Sequence, residues 1–186
     1  EELIPQFSLA REYLTAHNIT WYEVEGFEGD DIIGTLVDFG EKNNLKVSVY
    51  TGDKDAFQLI SPQTTIYRTI KGVTELDIYN EQTLLDKYGL KPDQIRDFLG
   101  LMGDTADNIP GIKGVGEKTA LKLLHQYETI EGLEEHQNEL KGKMGEKIRA
   151  GMEDALMSKK VATILRDVPL DVDLKKAEYE GYDYDT

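Results

Sequence analysis

The chain contains no cysteine, which excludes disulfide bridges and thiolate metal sites and is compatible with a reducing cytoplasm. Its three histidines, His17, His125 and His136, sit in unrelated contexts without metal-ligand spacing, so they read as ordinary surface or helix residues. No apolar run approaches the roughly 20 residues that a helix needs to span a bilayer, and no signal segment is visible, so a membrane is not an expected partner. Positive charge is short as well: 21 Lys and Arg against 36 Asp and Glu give a formal net charge of -15. Such an excess of acid argues at first against a polyanionic partner. Its distribution tells otherwise, because residues 1–110 carry 9 basic and 20 acidic side chains, residues 111–166 carry 10 and 9, and the tail carries 2 and 7. The second segment is weakly basic, and the length suits one medium domain or a domain with a helical appendage.

What the chain does hold is carboxylates at element junctions. Lys46–Tyr50 predicts a short buried strand that runs into Asp53 and Asp55 just before an apolar helical run, Ala56, Phe57, Leu59 and Ile60. Trp21–Val24 predicts another strand, followed by Glu28, Asp30 and Asp31 where a helix with Ile32, Ile33, Leu36 and Val37 begins. In an open α/β sheet the carboxyl ends of strands are where ligands bind. Helix capping accounts for part of the pattern, since Asp53 suits an N-cap and Asp55 the helix dipole. Capping needs only one acid, and three at one helix start repel one another unless cations intervene. With Asp104 and Asp107, the candidate metal ligands are Glu28, Asp30, Asp31, Asp53, Asp55, Asp104 and Asp107. Such hard oxygen donors suit Mg2+ or Mn2+. A pair of ions about 4 Å apart hydrolyses a phosphodiester without a side-chain base.

The acidic turn 103–108 runs into a glycine hairpin, Pro110–Gly116, and then a helix. Glycines at 111, 114 and 116 allow a tight turn with unobstructed amides, and a helix start offers unpaired N–H groups and a positive dipole end to a phosphate. The spacing fits the second half of a helix-hairpin-helix, with Ile112 and Val115 pinning the hairpin to the helices. The candidate DNA-binding residues are Gly111, Lys113, Gly114, Gly116, Lys118, Thr119 and Lys122. Contacts of this kind hold the backbone and read no base. The alternative is a helix-to-helix turn whose glycines serve geometry alone. Lys141, Lys143, Lys147, Arg149, Lys159 and Lys160 extend the basic region and offer further phosphate neutralisation.

Helices expected at Gln6–His17 and Asp30–Lys42, a strand near Val47 and a short helix after Asp53 alternate as a parallel α/β sheet requires. A β-hairpin follows, Ile66–Arg68 with Val73–Ile78 through Lys71-Gly72; Asn80 caps a helix to Lys87, and Pro92 opens another through Leu101. Leu84, Leu85, Ile95, Phe98, Leu99 and Leu101 are expected core, while Tyr67 and Arg68 read equally as residues facing DNA or as ordinary strand residues. Beyond Pro110 the chain reads as helical with interruptions at Gly132, Gly142, Gly145 and Gly151, and a Tyr- and Asp-rich tail from Tyr179 is expected to fray. The fold class is therefore α/β, a mostly parallel sheet with flanking helices followed by a helical helix-hairpin-helix subdomain, with a boundary expected between 1–110 and 111–186.

Residues 26–36, Thr51–Asp55, Gln58-Leu59, Lys87–Leu90, Met102–Asp104, Asp107–Gly111 and Gly114–Ala120 together resemble the 5′-nuclease domain of bacterial DNA polymerase I, of the flap endonuclease (PIN-like) superfamily. The resemblance is collinear over nearly the whole chain. It implies a two-metal 5′-to-3′ exonuclease and flap endonuclease acting on DNA flaps, nicked or primed duplex and RNA primers in replication and repair. Under it Glu28 and Asp30 resemble ligands of one ion, with Asp31 beside them; Asp53, Asp55 and Asp107 resemble the second and catalytic group; Asp104 matches an additional acidic position. It further implies K+ held by carbonyls of the 111–116 hairpin, a polymerase in the same parent chain, and a bacterial cytoplasmic, nucleoid-associated setting. The family's first strand, two more metal-binding aspartates and its helical arch find no counterpart here, so the chain reads as an internal fragment that cuts weakly or only binds DNA. An aspartyl phosphoacceptor is a third reading, against which the hairpin after Asp107 argues.

Overall fold

Strand β1 (Val47–Thr51) forms where expected, but it alternates and is not buried throughout: Val49 is buried and Tyr50 exposed. In this computed structural model, which describes residues 4–71, 74–179 and 181, β1 pairs in parallel with β2 (Thr64–Lys71), and β2 pairs antiparallel with β3 (Glu75–Tyr79). The sheet is small and mixed, in the order β1-β2-β3. The hairpin expected between β2 and β3 forms, although Gly72 and Val73 at its turn lie outside the described residues, as does most of the tail after Tyr179. The crossover from β1 to β2 holds a tight 3-10 turn, Asp55–Leu59, whose Ala56, Phe57, Gln58 and Leu59 are buried. Because strand side chains alternate, Arg68 shares the face of buried Thr64 and Ile66, and it lies opposite Thr51, the last residue of β1, where its Nε donates to the Gly52 carbonyl (3.3 Å).

The described residues gather into two compact units, one formed by residues up to Leu36 with those from Leu165 onward, the other by Val37–Ile164. The first contains helix α1 (Ile4–Ala16), the start of helix α2 (Gly29–Lys42) and the short helix α8 (Leu174–Ala177). Buried Thr35 on α2 accepts from the Val168 amide (3.0 Å), which fixes the returning chain on that helix. The strand expected at Trp21–Val24 does not form. A strand exists only through a ladder partner, and no neighbouring strand pairs with these residues among those described. Trp21 is held by side chains instead, its indole N–H on Thr15 Oγ1 (3.2 Å) and the Arg11 guanidinium over its ring at 5.6 Å.

In the second unit helix α3 (Glu81–Tyr88) starts at Asn80, whose side chain accepts from the Thr83 amide in a reciprocal capping box and which thus replaces an orphaned first-turn contact. Leu84, Ile95, Phe98, Leu99 and Leu101 are core as expected, but Leu85 is 47% exposed. On an eight-residue helix with one buried face, its neighbour Leu84 takes the inward position. After Pro92, helix α4 (Ile95–Met102) leads to the acidic turn, and helices α5 (Glu117–Tyr127), α6 (Ile130–His136) and α7 (Gly142–Val161) follow. Gly132 lies within α6, and Gly145 and Gly151 within an uninterrupted α7, so they do not break the helices as expected. Their use is close approach: a Cβ at Gly151 would stand 2.9 Å from Ile112, and one at Gly100 of α4 would stand 3.0 Å from the Ala155 carbonyl of α7. Residues on both sides of position 110 share this core. No helix among the described residues is long and apolar enough to cross a membrane.

A buried ion pair joins three of these helices. Asp97 on α4, 2% exposed, meets Lys159 Nζ of α7 at 2.7 Å and accepts from the Ile130 amide that opens α6 (2.8 Å). Lys159 also meets Glu131 at 2.7 Å. Burial acts on the Glu131 carboxyl in the opposite sense, but bonds from Lys159 and the backbone, with the Lys159 and Arg96 charges, hold it below the usual range.

Candidate active site

Three of the four candidate metal-binding carboxylates of the second unit meet at one cavity of about 380 Å3. Asp53, Asp55 and Asp104 line it, with Gly52, Arg68, Tyr88 and Glu117 and an apolar floor that includes Phe57, Phe98 and Leu99. Local geometry explains how each acid is presented. Asp53 follows the end of β1 and accepts from the Asp55 amide (2.9 Å), so it turns the chain into the 3-10 helix, whose own N-cap is Lys54. Asp104 pairs with Ile109 through both backbone bonds (2.9 and 2.7 Å), and its side chain accepts from the Ala106 amide (2.7 Å). That small ladder sets Asp104 at the cavity and leaves Thr105–Asn108 as an exposed loop tip. Asp107 stands on this tip, outside the cavity lining.

The first unit places Glu28 in the turn before α2 and Asp30 and Asp31 in its first helical turn. Asp31 is engaged at both oxygens, one accepting from the Leu165 amide (2.9 Å) and the other from the Glu28 amide (3.4 Å), so part of its role is to tie down the returning chain. Among the described residues no three Asp, Glu or His side chains are close enough to hold an ion as they stand. The cavity nonetheless gathers the carboxylates Asp53, Asp55, Asp104 and Glu117, beside the Tyr88 phenol and the cations Lys54 and Arg68, and carboxylate oxygen is the donor that a hard divalent cation takes.

The hairpin divides its glycines by task. Gly111 and Gly114 take positive φ (57° and 84°), while Gly116 at the N-cap of α5 is extended at φ -104° and needs no glycine for its backbone. Gly111 is buried, its amide donates to Ser158 Oγ (3.0 Å), and a Cβ there would stand 2.3 Å from the Gly103 nitrogen. Its own N–H is thus unavailable to a phosphate. Ile112 and Val115 are buried and pin the turn as expected, leaving Lys113, Gly114, Gly116, Lys118 and Lys122 exposed and Thr119 half-buried. Lys147 of α7 adds its ammonium, 2.9 Å from where a Gly114 Cβ would stand. Two other cations of the expected basic region are engaged in structure: Lys159 in the buried pair, and Arg149, which donates to the carbonyls of Gln137 and Leu140 (2.9 and 3.1 Å). The three histidines each meet a backbone carbonyl, of Tyr13, Tyr88 and Gly132 respectively.

Arg68, Tyr88 and Glu117 were not legible as cavity residues from their immediate sequence. The available signal was strand parity, which puts Arg68 on the face of Thr64 and Ile66, opposite Thr51 at the carboxyl end of β1 and beside Gly52. Burial raises the Tyr88 phenol above its ordinary value, the Tyr79 and Glu117 charges and a bond to Tyr79 push the same way, and Arg68 opposes them. The folded state therefore favours the neutral phenol. Its contribution to stability is present below the unfolded value near pH 10 and is lost as pH rises through the higher folded value. A 295 nm titration of the wild type minus Tyr88→Phe is expected to show a midpoint above about 10; a midpoint at or below it contradicts this environment.

Two family profiles match the chain: "5′-3′ exonuclease, N-terminal resolvase-like domain" over residues 1–89 and "5′-3′ exonuclease, C-terminal SAM fold" over residues 90–185. DNA polymerase I of Bacillus subtilis (strain 168) is 48% identical over 182 residues, which cover 97% of this chain and 21% of the relative. DNA polymerase I of Mycobacterium tuberculosis (strain H37Rv) is 40% identical over 170 residues, 91% of this chain and 19% of the relative. The chain thus spans about a fifth of the length of these relatives. Among solved structures, a bacteriophage T5 flap endonuclease complexed with DNA and metal ions has a TM-score of 0.69 at 19% identity, covering 84% of this chain and 55% of that one. The catalytic core of Rad2 in complex with a DNA substrate has a TM-score of 0.63 at 17% identity, covering 97% and 60%. These two likenesses establish the fold.

Proposed function

The chain belongs to the 5′-3′ exonuclease family, and from that premise we propose that it supplies the nuclease part of a DNA polymerase I-type enzyme, hydrolysing phosphodiesters at 5′ flaps, nicks and RNA primers in the bacterial cytoplasm. The observation that carries this reading is the convergence of Asp53, Asp55 and Asp104 on one cavity, a few residues in sequence from an exposed hairpin of amides and lysines. Glu28, Asp30, Asp31 and Asp107 complete the proposed ligand set for two Mg2+ or Mn2+ ions. Such ions would activate the attacking water and offset the charge of the leaving oxygen.

The chain's own residues then have distinct tasks. The acidic cavity repels a bare phosphodiester, so binding there depends on divalent ions, while Arg68 offers it a guanidinium. Lys113, Gly114, Gly116, Lys118, Thr119 and Lys122 hold the duplex backbone without reading bases, helped by Lys147. In this division of labour residues 1–110 supply the carboxylates and residues 111–186 the grip. A K+ ion at the hairpin carbonyls belongs to the same reading, in a turn whose Ile112 carbonyl is already occupied by the Val115 amide (2.9 Å). A second reading, a segment that binds DNA without cutting it, is favoured by the separation of the acids as they stand among the described residues.

A 5′-labelled flap duplex incubated with this chain, with Mg2+ or with chelator, separates the two. Magnesium-dependent release of the flap supports the nuclease reading; binding without release supports the second. Lys118→Ala is expected to weaken binding about equally on unrelated sequences and to reduce the salt slope by about 1. A loss confined to certain sequences contradicts a backbone grip.

A further inference from the structure

Two buried polar side chains connect the last turn of α7 to the two halves of the proposed site. Gln58, 7% exposed, donates through Nε2 to the Ala162 carbonyl (2.9 Å) and accepts through Oε1 from the Ile164 amide (3.0 Å). The amide side chain thereby pairs with the backbone on both sides of Thr163, as a strand neighbour would. Gln58 lies three residues after Asp55 in the same 3-10 helix, where residues i and i+3 eclipse, so it anchors the turn that presents the carboxylates. Ser158, fully buried, accepts from the Gly111 amide (3.0 Å) at the root of the hairpin. Its carbonyl accepts from the Ala162 amide (2.8 Å), which closes the path from one arm to the other.

We propose that Gln58 and Ser158 form a bracket on the end of α7 that sets the distance between the carboxylate turn and the hairpin, and so selects which phosphodiester of a gripped duplex reaches the cavity. Both are positioning residues: neither lines the cavity. The end of α7 suits the task because it is held rigidly from elsewhere, by the Lys159–Asp97 pair and by the close packing at Gly100 and Gly151. Hydrogen bonds fix a separation more sharply than apolar contact does, because their length and angle are both restricted. An apolar residue of similar size at position 58 would keep the packing and leave the Ala162 carbonyl and Ile164 amide without their partner.

The bracket's role in cutting rests on the nuclease reading, so two measurements are made on wild type, Gln58→Leu and the milder Ser158→Ala. The first maps Mn2+-dependent cuts on a 5′-labelled flap duplex. Wild type is expected to cut at one dominant phosphodiester, and both variants to spread cuts over its neighbours while duplex affinity changes by less than about threefold, since the hairpin lysines are intact. Loss of stability alone would reduce the yield of an unchanged pattern, and that result overturns the proposal. The second, native-state hydrogen exchange, needs neither metal nor DNA. Gln58→Leu is expected to speed exchange at the Gly111 amide, which Gln58 does not bond, by about tenfold or more, and Ser158→Ala to do the same at Ile164, because coupling is reciprocal. If each variant speeds exchange only at its own partner, there is no bracket. Should wild type not cut at all, the nuclease reading fails, and exchange alone decides for or against the mechanical link.

Discussion

Lys159→Met is expected to lower the unfolding free energy by about 3–5 kcal/mol, because it leaves the Asp97 carboxylate buried without its counter-charge. Asp97 is 2% exposed and sits where α4, α6 and α7 meet, so it cannot turn to water without opening that junction. Glu131 does not compensate, since it is itself acidic and 54% exposed. The double variant Asp97→Asn/Lys159→Met is expected to recover most of the loss. Asparagine removes the charge and keeps an oxygen for the Ile130 amide. Urea denaturation followed by circular dichroism measures both. A loss below about 1 kcal/mol for Lys159→Met would place the pair with exposed ion pairs of small worth.

Asp53→Asn is expected to reduce metal-dependent flap cleavage by about 100-fold or more, the scale of the several kcal/mol that metal ions contribute to such a transition state. The substitution is nearly isosteric, and its side-chain oxygen can still accept from the Asp55 amide, so the turn after β1 should survive. Duplex affinity should change by less than about threefold, since the proposed grip lies at the hairpin. Gel-resolved cleavage rates with matched binding isotherms separate the two effects. Parallel loss of binding and cutting would mean that Asp53 shapes the fold instead of holding an ion.

The sequence disclosed the parts of this fold that are governed by local pattern. The period of α2, the position of β1, the Asn80 cap and the apolar pins Ile112 and Val115 all stand where local chemistry puts them. It misled where an element depends on a distant partner. Trp21–Val24 has strand composition but no ladder among the described residues, and Gly151 of α7, which looks like a break, allows close packing against Ile112. Lys159 and Arg149 looked like phosphate contacts because a basic residue in a weakly basic helix gives no sign that it is claimed by a buried acid or by helix-end carbonyls.

The site was legible to a similar depth. Asp53, Asp55 and Asp104 lie together at the cavity, whereas Asp107 sits on the exposed loop tip closed by the two-bond Asp104–Ile109 ladder, outside the lining. Gln58 and Ser158 were beyond local reasoning altogether. Their partners lie 106 and 47 residues away, and a polar residue among apolar neighbours does not announce which backbone group it will meet.

The central claim is that the carboxylates around the cavity hold divalent ions, and Mn2+ titration of this chain, followed by the loss of the free-ion electron paramagnetic resonance signal, tests it most directly. Saturable binding that is weakened by Asp53→Asn and by Asp104→Asn, and displaced by Mg2+, is the expected result. Binding that is unchanged in both variants would place the ions elsewhere on this acidic chain and contradict the account.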